Sequence, residues 1–176
     1  DSIVIYPPVE TSKYRYRDDG GYYLSVGRLD PLKRIDLIIE TFKKLKGYEV
    51  KIVGTGPEER SLKELAKGCG NIEFYGFVDE KEKMELLGHC RGLIFTAMNE
   101  DFGLVPVEAL ASGKPVITVN EGYPPHMIKE EVNGVIVESN VRSLVEGIEK
   151  CERMTWEPNK IMETAKKFDI EHFVRQ

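Results

Sequence analysis

Two stretches of this 176-residue chain carry side chains in patterns that could do chemistry. The first is Gly27-Arg28-Leu29-Asp30-Pro31-Leu32-Lys33-Arg34, which sets three cations just after an apolar run and just before an amphipathic stretch. Arginine offers a planar fork suited to phosphate oxygens, and a helix start is favourable for anions. Spacing alone leaves this loop balanced between phosphate binding and a solvated loop whose cations pair with nearby acids. The second stretch is Asn99-Glu100-Asp101-Phe102-Gly103-Leu104-Val105-Pro106-Val107-Glu108-Ala109-Leu110-Ala111. Pro106 suits the first turn of a helix, so Gly103 to Val105 are expected to present free N–H groups to an anion. Glu108 then falls about one turn into the helix and Glu100 stays in the preceding loop, one carboxylate on each side of the amides. The bland alternative, a loop acid and a surface acid, sits poorly with Glu108, which interrupts an apolar run. A carboxylate buried there without partners would cost several kcal/mol.

Two further loops are weaker. Gly54-Thr55-Gly56-Pro57 is a G-x-G turn without the full dinucleotide fingerprint, and a sharp turn explains it better than ligand contact. Asp79 reads as the N-cap of the helix that follows rather than as a ligand contact.

The elements that must position these loops alternate. Apolar runs at Tyr22–Val26, Val50–Val53, Ile72–Tyr75, Gly92–Phe95, Pro115–Thr118 and Val135–Val137 read as strands. Helical spacing follows most of them, as in Ile35, Ile38, Ile39, Phe42 and Leu45, and two helices are expected at about 141–153 and 158–168. The alternation predicts an α/β fold, a Rossmann-like parallel sheet of about six strands with helices on both faces. In such sheets ligands bind beyond the carboxyl ends of the strands. The loops 28–33, 54–57, 76–79, 96–103 and 120–125 would all line that crevice.

Composition narrows the class. Hydrophobic residues at 41% and charged residues at 31% are ordinary for a soluble domain. The size suits one domain, no apolar run approaches a membrane span, and no basic-then-apolar leader opens the chain. The start, without an initiator Met, is expected to mark an excised fragment. A net charge of −5 argues against nucleic acid as a partner. The three cysteines are dispersed, which reads as single thiols in a reducing compartment, and no spacing of His, Cys or paired acids predicts a metal site.

In order and register, Gly-Arg-x4-Lys, Gly-x-Gly-Pro, Glu-x7-Glu enclosing Phe-Gly, and Ala-x-Gly-x-Pro-Val closely resemble retaining glycosyltransferase family 4, of the GT-B fold. The resemblance runs from about Tyr6, whose Tyr-Pro-Pro-Val looks like the linker into that family's C-terminal domain, to the final helices. It implies residues 1–20 as interdomain linker and 21–176 as the nucleotide-sugar-binding domain. Arg28 and Lys33 would hold the donor diphosphate, helped by the backbone of Phe102, Gly103, Leu104 and Val105. Glu108 would bind the ribose, Glu100 the transferred sugar, and the Phe77-Val78 loop the base. Gly27, Gly54 and Gly56 complete the expected donor-binding set, and Arg28, Lys33 and Glu100 carry the expected catalytic work. No cofactor and no metal are implied, the nucleotide diphosphate sugar being a substrate. A glycan or lipid-linked acceptor would bind through a missing N-terminal domain. The implied location is cytoplasmic, with peripheral attachment of the full-length enzyme to the inner face of a membrane left open.

The wording Glu-Asp-Phe-Gly-x-x-Pro-Val-Glu leans toward mannosyl-transferring members. Departures stand at Arg34, where the family usually has Gly, at Thr96-Ala97 in place of a frequent Pro-Ser, at Tyr123 for the second Gly of a pair, and at His126 for Glu. Two other readings remain: a non-catalytic nucleotide-binding module, and a sugar-nucleotide epimerase of the same fold.

Overall fold

The computed structural model describes residues 8–171. The expected linker residues before Pro8, Tyr6 and Pro7 among them, and the last five positions of the expected domain lie outside that range.

Six strands follow one another along the chain: β1 (Tyr22–Val26), β2 (Glu49–Val53), β3 (Ile72–Gly76), β4 (Leu93–Phe95), β5 (Val116–Val119) and β6 (Gly134–Val137). Between and after them run α1 (Ile35–Lys44), α2 (Glu59–Leu65), α3 (Glu80–His89), α4 (Leu104–Ala111), α5 (Val141–Arg153) and α6 (Pro158–Ala165). All strand pairs are parallel and the order is β3-β2-β1-β4-β5-β6. The expected sheet is therefore present, with helices on both of its faces.

Residue alternation along the strands builds two cores. Tyr22 and Leu24 of β1, with Leu93 and Phe95 of β4, face Leu86, Leu87, Val107, Leu110 and Ile161 from α3, α4 and α6. The intervening Tyr23 and Ile94 face Ile38, Phe42, Leu62, Leu144 and Ile148 from α1, α2 and α5. In α1 the positions Ile35, Ile38, Ile39 and Phe42 form one apolar stripe, and all four are buried. Helix starts are set by side chains: Asp79 accepts from the Glu82 amide at 2.8 Å to open α3, and Asn140 accepts from the Ser143 amide at 2.9 Å to open α5.

The order places the topological switch between β1 and β4. To one side of it the chain adds strands through α1 and α2; to the other, through α4 and the turns after β5. The loops leaving β1 and β4 therefore lie side by side at the carboxyl edge of the sheet, where such sheets bind their ligands. These are the basic loop and the Glu100 loop.

Candidate functional site

The loop after β1 is built before it is functional. Asp30 accepts from the Leu32 amide at 3.0 Å and opens a short 3-10 turn, Pro31–Lys33, whose last residue is Lys33. The following Arg34 is left-handed, with φ 52° and ψ 43°. This is the position where glycine was expected, and the backbone conformation is the reason. The Arg34 guanidinium turns to Asp36, with Nε 3.2 Å from Oδ1. Arg28 extends outward with 71% of its side chain exposed, its Nε 3.7 Å from Asp30 Oδ2.

Gly54 and Gly56 hold this loop from below. A Cβ on Gly54 would stand 1.8 Å from the Gly27 carbonyl oxygen, and one on Gly56 would stand 2.3 Å from that of Leu29. Backbone bonds fill the contact: Gly27 N–H to the Val53 carbonyl at 3.0 Å and Leu29 N–H to the Thr55 carbonyl at 2.9 Å. The G-x-G turn therefore seats the basic loop backbone against backbone.

Across the switch point the two loops are stitched together. The Met98 amide donates to the Leu32 carbonyl at 2.7 Å. Thr96, where a proline was expected, donates its hydroxyl to the Lys33 carbonyl at 2.7 Å. Above this seam Lys33 Nζ lies 2.6 Å from Glu100 Oε2. Both side chains are about a quarter exposed, so the pair is reachable from solvent. The carbonyl of Glu100 in turn accepts from the Tyr123 amide at 2.9 Å. Tyr123 replaces an expected glycine but has φ −82° and ψ −32°, a conformation open to any residue. Its ring stacks on Phe102 at 5.6 Å, with the His126 ring 5.4 Å from its own.

Helix α4 begins next to this pair. Its N-cap is Gly103, which has no side chain to offer, and its first turn holds no acidic residue. Pro106 has no N–H, and the amides of Gly103, Leu104 and Val105 donate to no other described residue. Those N–H groups and the helix dipole give a fixed partial positive charge beside Lys33.

Glu108 lies one turn further in and is only 8% exposed. Its Oε1 accepts from Lys83 Nζ of α3 at 3.0 Å, while Oε2 is buried without a hydrogen-bond partner among the described residues. The Tyr14 phenol faces the same carboxylate; burial and then the charge of Glu108 push its pKa well above the ordinary range. For Lys83, burial works against the charge, but Glu108 and Glu80 outweigh it and raise the pKa. Neither Lys83 nor Tyr14 stood out in the sequence. The signal for Lys83 was a cation three and four residues before Leu86 and Leu87, on the stripe that α3 buries.

At the loop after β3, Phe77 is 81% exposed, while Val78 packs against the first core. An aromatic ring left open at the carboxyl edge of a parallel sheet is a ready stacking surface.

The chain thus brings Arg28, Lys33, Glu100, the α4 amides, Glu108 and Phe77 to one edge of one sheet. A model of the glycosyl transferases group 1 family matches residues 9–168. The chain belongs to that family. It is 28% identical over 147 residues to the alpha-1,3/1,6-mannosyltransferase ALG2 of Homo sapiens, covering 72% of this chain and 35% of that protein. The chain spans about a third of the length of such relatives.

Two solved structures share the fold of this group 1 domain. One is the lipopolysaccharide outer core galactosyltransferase WaaB in its apo form, with TM-score 0.85 and 19% identity over 98% of this chain and 53% of that one. The other is Anabaena Alr3699/HepE in complex with UDP and glucose, with TM-score 0.80 and 21% identity over 99% of this chain and 55% of that one. Each is about twice as long as this chain, so the group 1 domain corresponds to one half of a GT-B architecture.

The opposite, amino-terminal edge of the sheet holds a cavity of about 250 Å³ lined by Tyr16, Tyr23, Lys114 and Trp156 among others. Its charges are answered internally. Arg91 pairs with Asp19 and Glu152, and Lys114 donates to the Arg17 carbonyl at 2.8 Å and covers the Tyr16 ring. Cys90 and Cys151 line it as free thiols, pushed by burial up to about 12 and about 11. Among the described residues no group of three His, Cys, Asp or Glu could hold a metal ion, and no helix is long and apolar enough to cross a membrane.

Proposed function

We propose that this chain is the donor-binding half of a retaining glycosyltransferase of family 4, acting on a nucleoside diphosphate sugar. The observation that carries the reading is the uncapped, acid-free start of α4 beside Lys33, flanked by one carboxylate toward β1 and another toward α3. Arg28, Lys33 and the Gly103 to Val105 amides take the diphosphate. Phe77 and Val78 take the base, Glu108 the ribose and Glu100 the transferred sugar. As the bond from the anomeric carbon to the diphosphate oxygen breaks, negative charge grows on the leaving diphosphate. In this reading the cations and amides meet that charge, which is where fixed charge lowers a barrier most.

The acceptor, a glycan or lipid-linked sugar, binds in this reading through a further domain preceding residue 21. A cytoplasmic site of action, peripheral membrane attachment of the longer protein, and the absence of a cofactor or metal belong to the same proposal. Mannose is the proposed sugar on the Glu-Asp-Phe-Gly wording and the likeness to ALG2. The galactosyl name of WaaB comes with fold similarity alone and carries no weight on the sugar.

Calorimetry of the chain against nucleoside diphosphates and their sugar conjugates tests the proposal. Diphosphates are expected to bind in the micromolar to millimolar range, Arg28→Ala and Lys33→Ala each losing about 1.5–3 kcal/mol. The same preparation is expected to transfer no sugar to any acceptor. Binding indifferent to both substitutions, or transfer by the isolated chain, would overturn the reading.

A further inference from the structure

Lys83 is absorbed by none of the roles above, yet it makes the close contact to Glu108. Its ammonium stands 3.0 Å from Glu108 Oε1 and 3.0 Å from Glu80 Oε1. Its side chain is 15% exposed and that of Glu80 is 77% exposed, so the inner partner is Glu108. The other oxygen of Glu108, Oε2, is buried and has no hydrogen-bond partner among the described residues. The carboxylate is therefore anchored at one oxygen, by Lys83, with the Tyr14 phenol facing it from the segment before β1.

An ammonium carries three N–H donors and no acceptor, and a carboxylate carries acceptors and no donor. Lys83 spends two donors on the two glutamates, which leaves a third. A hydroxyl both donates and accepts, so a vicinal diol satisfies a carboxylate and an ammonium held side by side. A deoxy sugar satisfies neither fully.

We propose that Lys83 is a positioning residue for the ribose of the donor: it fixes the Glu108 carboxylate and adds a donor of its own to the diol that Glu108 accepts from. This rests on the reading of Glu108 as the ribose acceptor given above. Lys83 thereby acts on the choice of a ribonucleotide over a deoxyribonucleotide, and not on the diphosphate, which Arg28, Lys33 and the α4 amides hold.

The experiment is a calorimetric titration of the chain with a ribonucleoside diphosphate, its 2′-deoxy counterpart and inorganic pyrophosphate. It compares wild type, Lys83→Met, Lys83→Gln and Lys83→Arg. Wild type is expected to prefer the ribonucleotide about tenfold, the scale of one good hydrogen bond to a charged group. In Lys83→Met and Lys83→Gln the preference is expected to fall below about threefold on the same scale, and in Lys83→Arg to return. Pyrophosphate affinity is expected to stay the same in all four, a result that general loss of structure would not give. Removing one partner of a mostly buried pair can destabilise the fold, and Lys83→Gln, polar but uncharged and one methylene shorter, covers the case in which Lys83→Met does not fold. Retention of the wild-type preference in either neutral variant would overturn the role of Lys83. Absence of any preference in the wild type would instead overturn the ribose assignment of Glu108 on which it stands.

Discussion

At the scale of single residues the contact with the most direct consequence joins Lys33 and Glu100. The family resemblance implies separate tasks for them, one on the diphosphate and one on the sugar. The structure joins them at 2.6 Å. A carboxylate on the lysine competes with a phosphate for the same donors. Glu100→Gln is therefore expected to strengthen nucleoside diphosphate binding, by up to about 1 kcal/mol, the scale of a partly exposed pair. The same substitution is expected to weaken the nucleotide sugar relative to the diphosphate, because in the proposed reading a sugar hydroxyl loses its charged acceptor. Titrating Glu100→Gln with both ligands checks this, and parallel losses for the two would contradict it. Arg34→Ala is expected to leave the diphosphate affinity nearly unchanged, because the guanidinium is already turned to Asp36 and the Met98 sulfur.

At the scale of elements the site depends on how closely two strand-exit loops approach. Gly54 has φ +129° and its absent Cβ points at a carbonyl oxygen 1.8 Å away. Gly54→Ala must separate the loops leaving β1 and β2, and is expected to cost about 2–4 kcal/mol by overpacking and backbone strain together. Gly70 has open space where its Cβ would stand. Gly70→Ala is expected to stay within about 0.5–1 kcal/mol of wild type. Urea unfolding of the two variants measures the contrast, and equal midpoints would show that the close approach is not what Gly54 provides. The affinity of Gly54→Ala for pyrophosphate is expected to fall too, since the displaced backbone is the one that carries Arg28 and Lys33.

At the scale of the whole molecule, the segment before β1 is tied to the end of the chain. Val9 N–H donates to the Phe168 carbonyl at 3.0 Å and Ile170 N–H to the Val9 carbonyl at 3.1 Å. The Thr11 amide and hydroxyl both donate to Asp169 Oδ2, the amide at 3.0 Å. This tie holds the segment that brings Tyr14 to Glu108, so the surroundings of that carboxylate depend on residues more than a hundred positions apart in the chain. Asp169→Ala is expected to lose about 1–3 kcal/mol, the value of hydrogen bonds to a charged acceptor. In hydrogen exchange the Thr11 and Ile170 amides should open sooner than those of β1. Uniform exchange across all three would show that the tie has no local role.

The sequence by itself determined the parallel α/β class, the helices expected at about 141–153 and 158–168, the cap at Asp79, and the edge where the unusual loops gather; the second helix passes into a 3-10 turn at Lys166–Phe168. Each of these follows from local rules: apolar period, capping geometry, the handedness of βαβ crossovers. Even the expected glycine at position 34 had a local cause, visible once its left-handed backbone is known. Only the tertiary structure decided which charges meet. Lys33 and Glu100 are 67 residues apart and Lys83 and Glu108 are 25 apart. No periodicity relates such positions, because their distance is set by the paths of two loops or the packing of α3 on α4. The same holds for Gly54, which reads in one dimension as an ordinary turn. Its purpose is a backbone contact with another loop, and that contact exists only once β1 and β2 lie side by side.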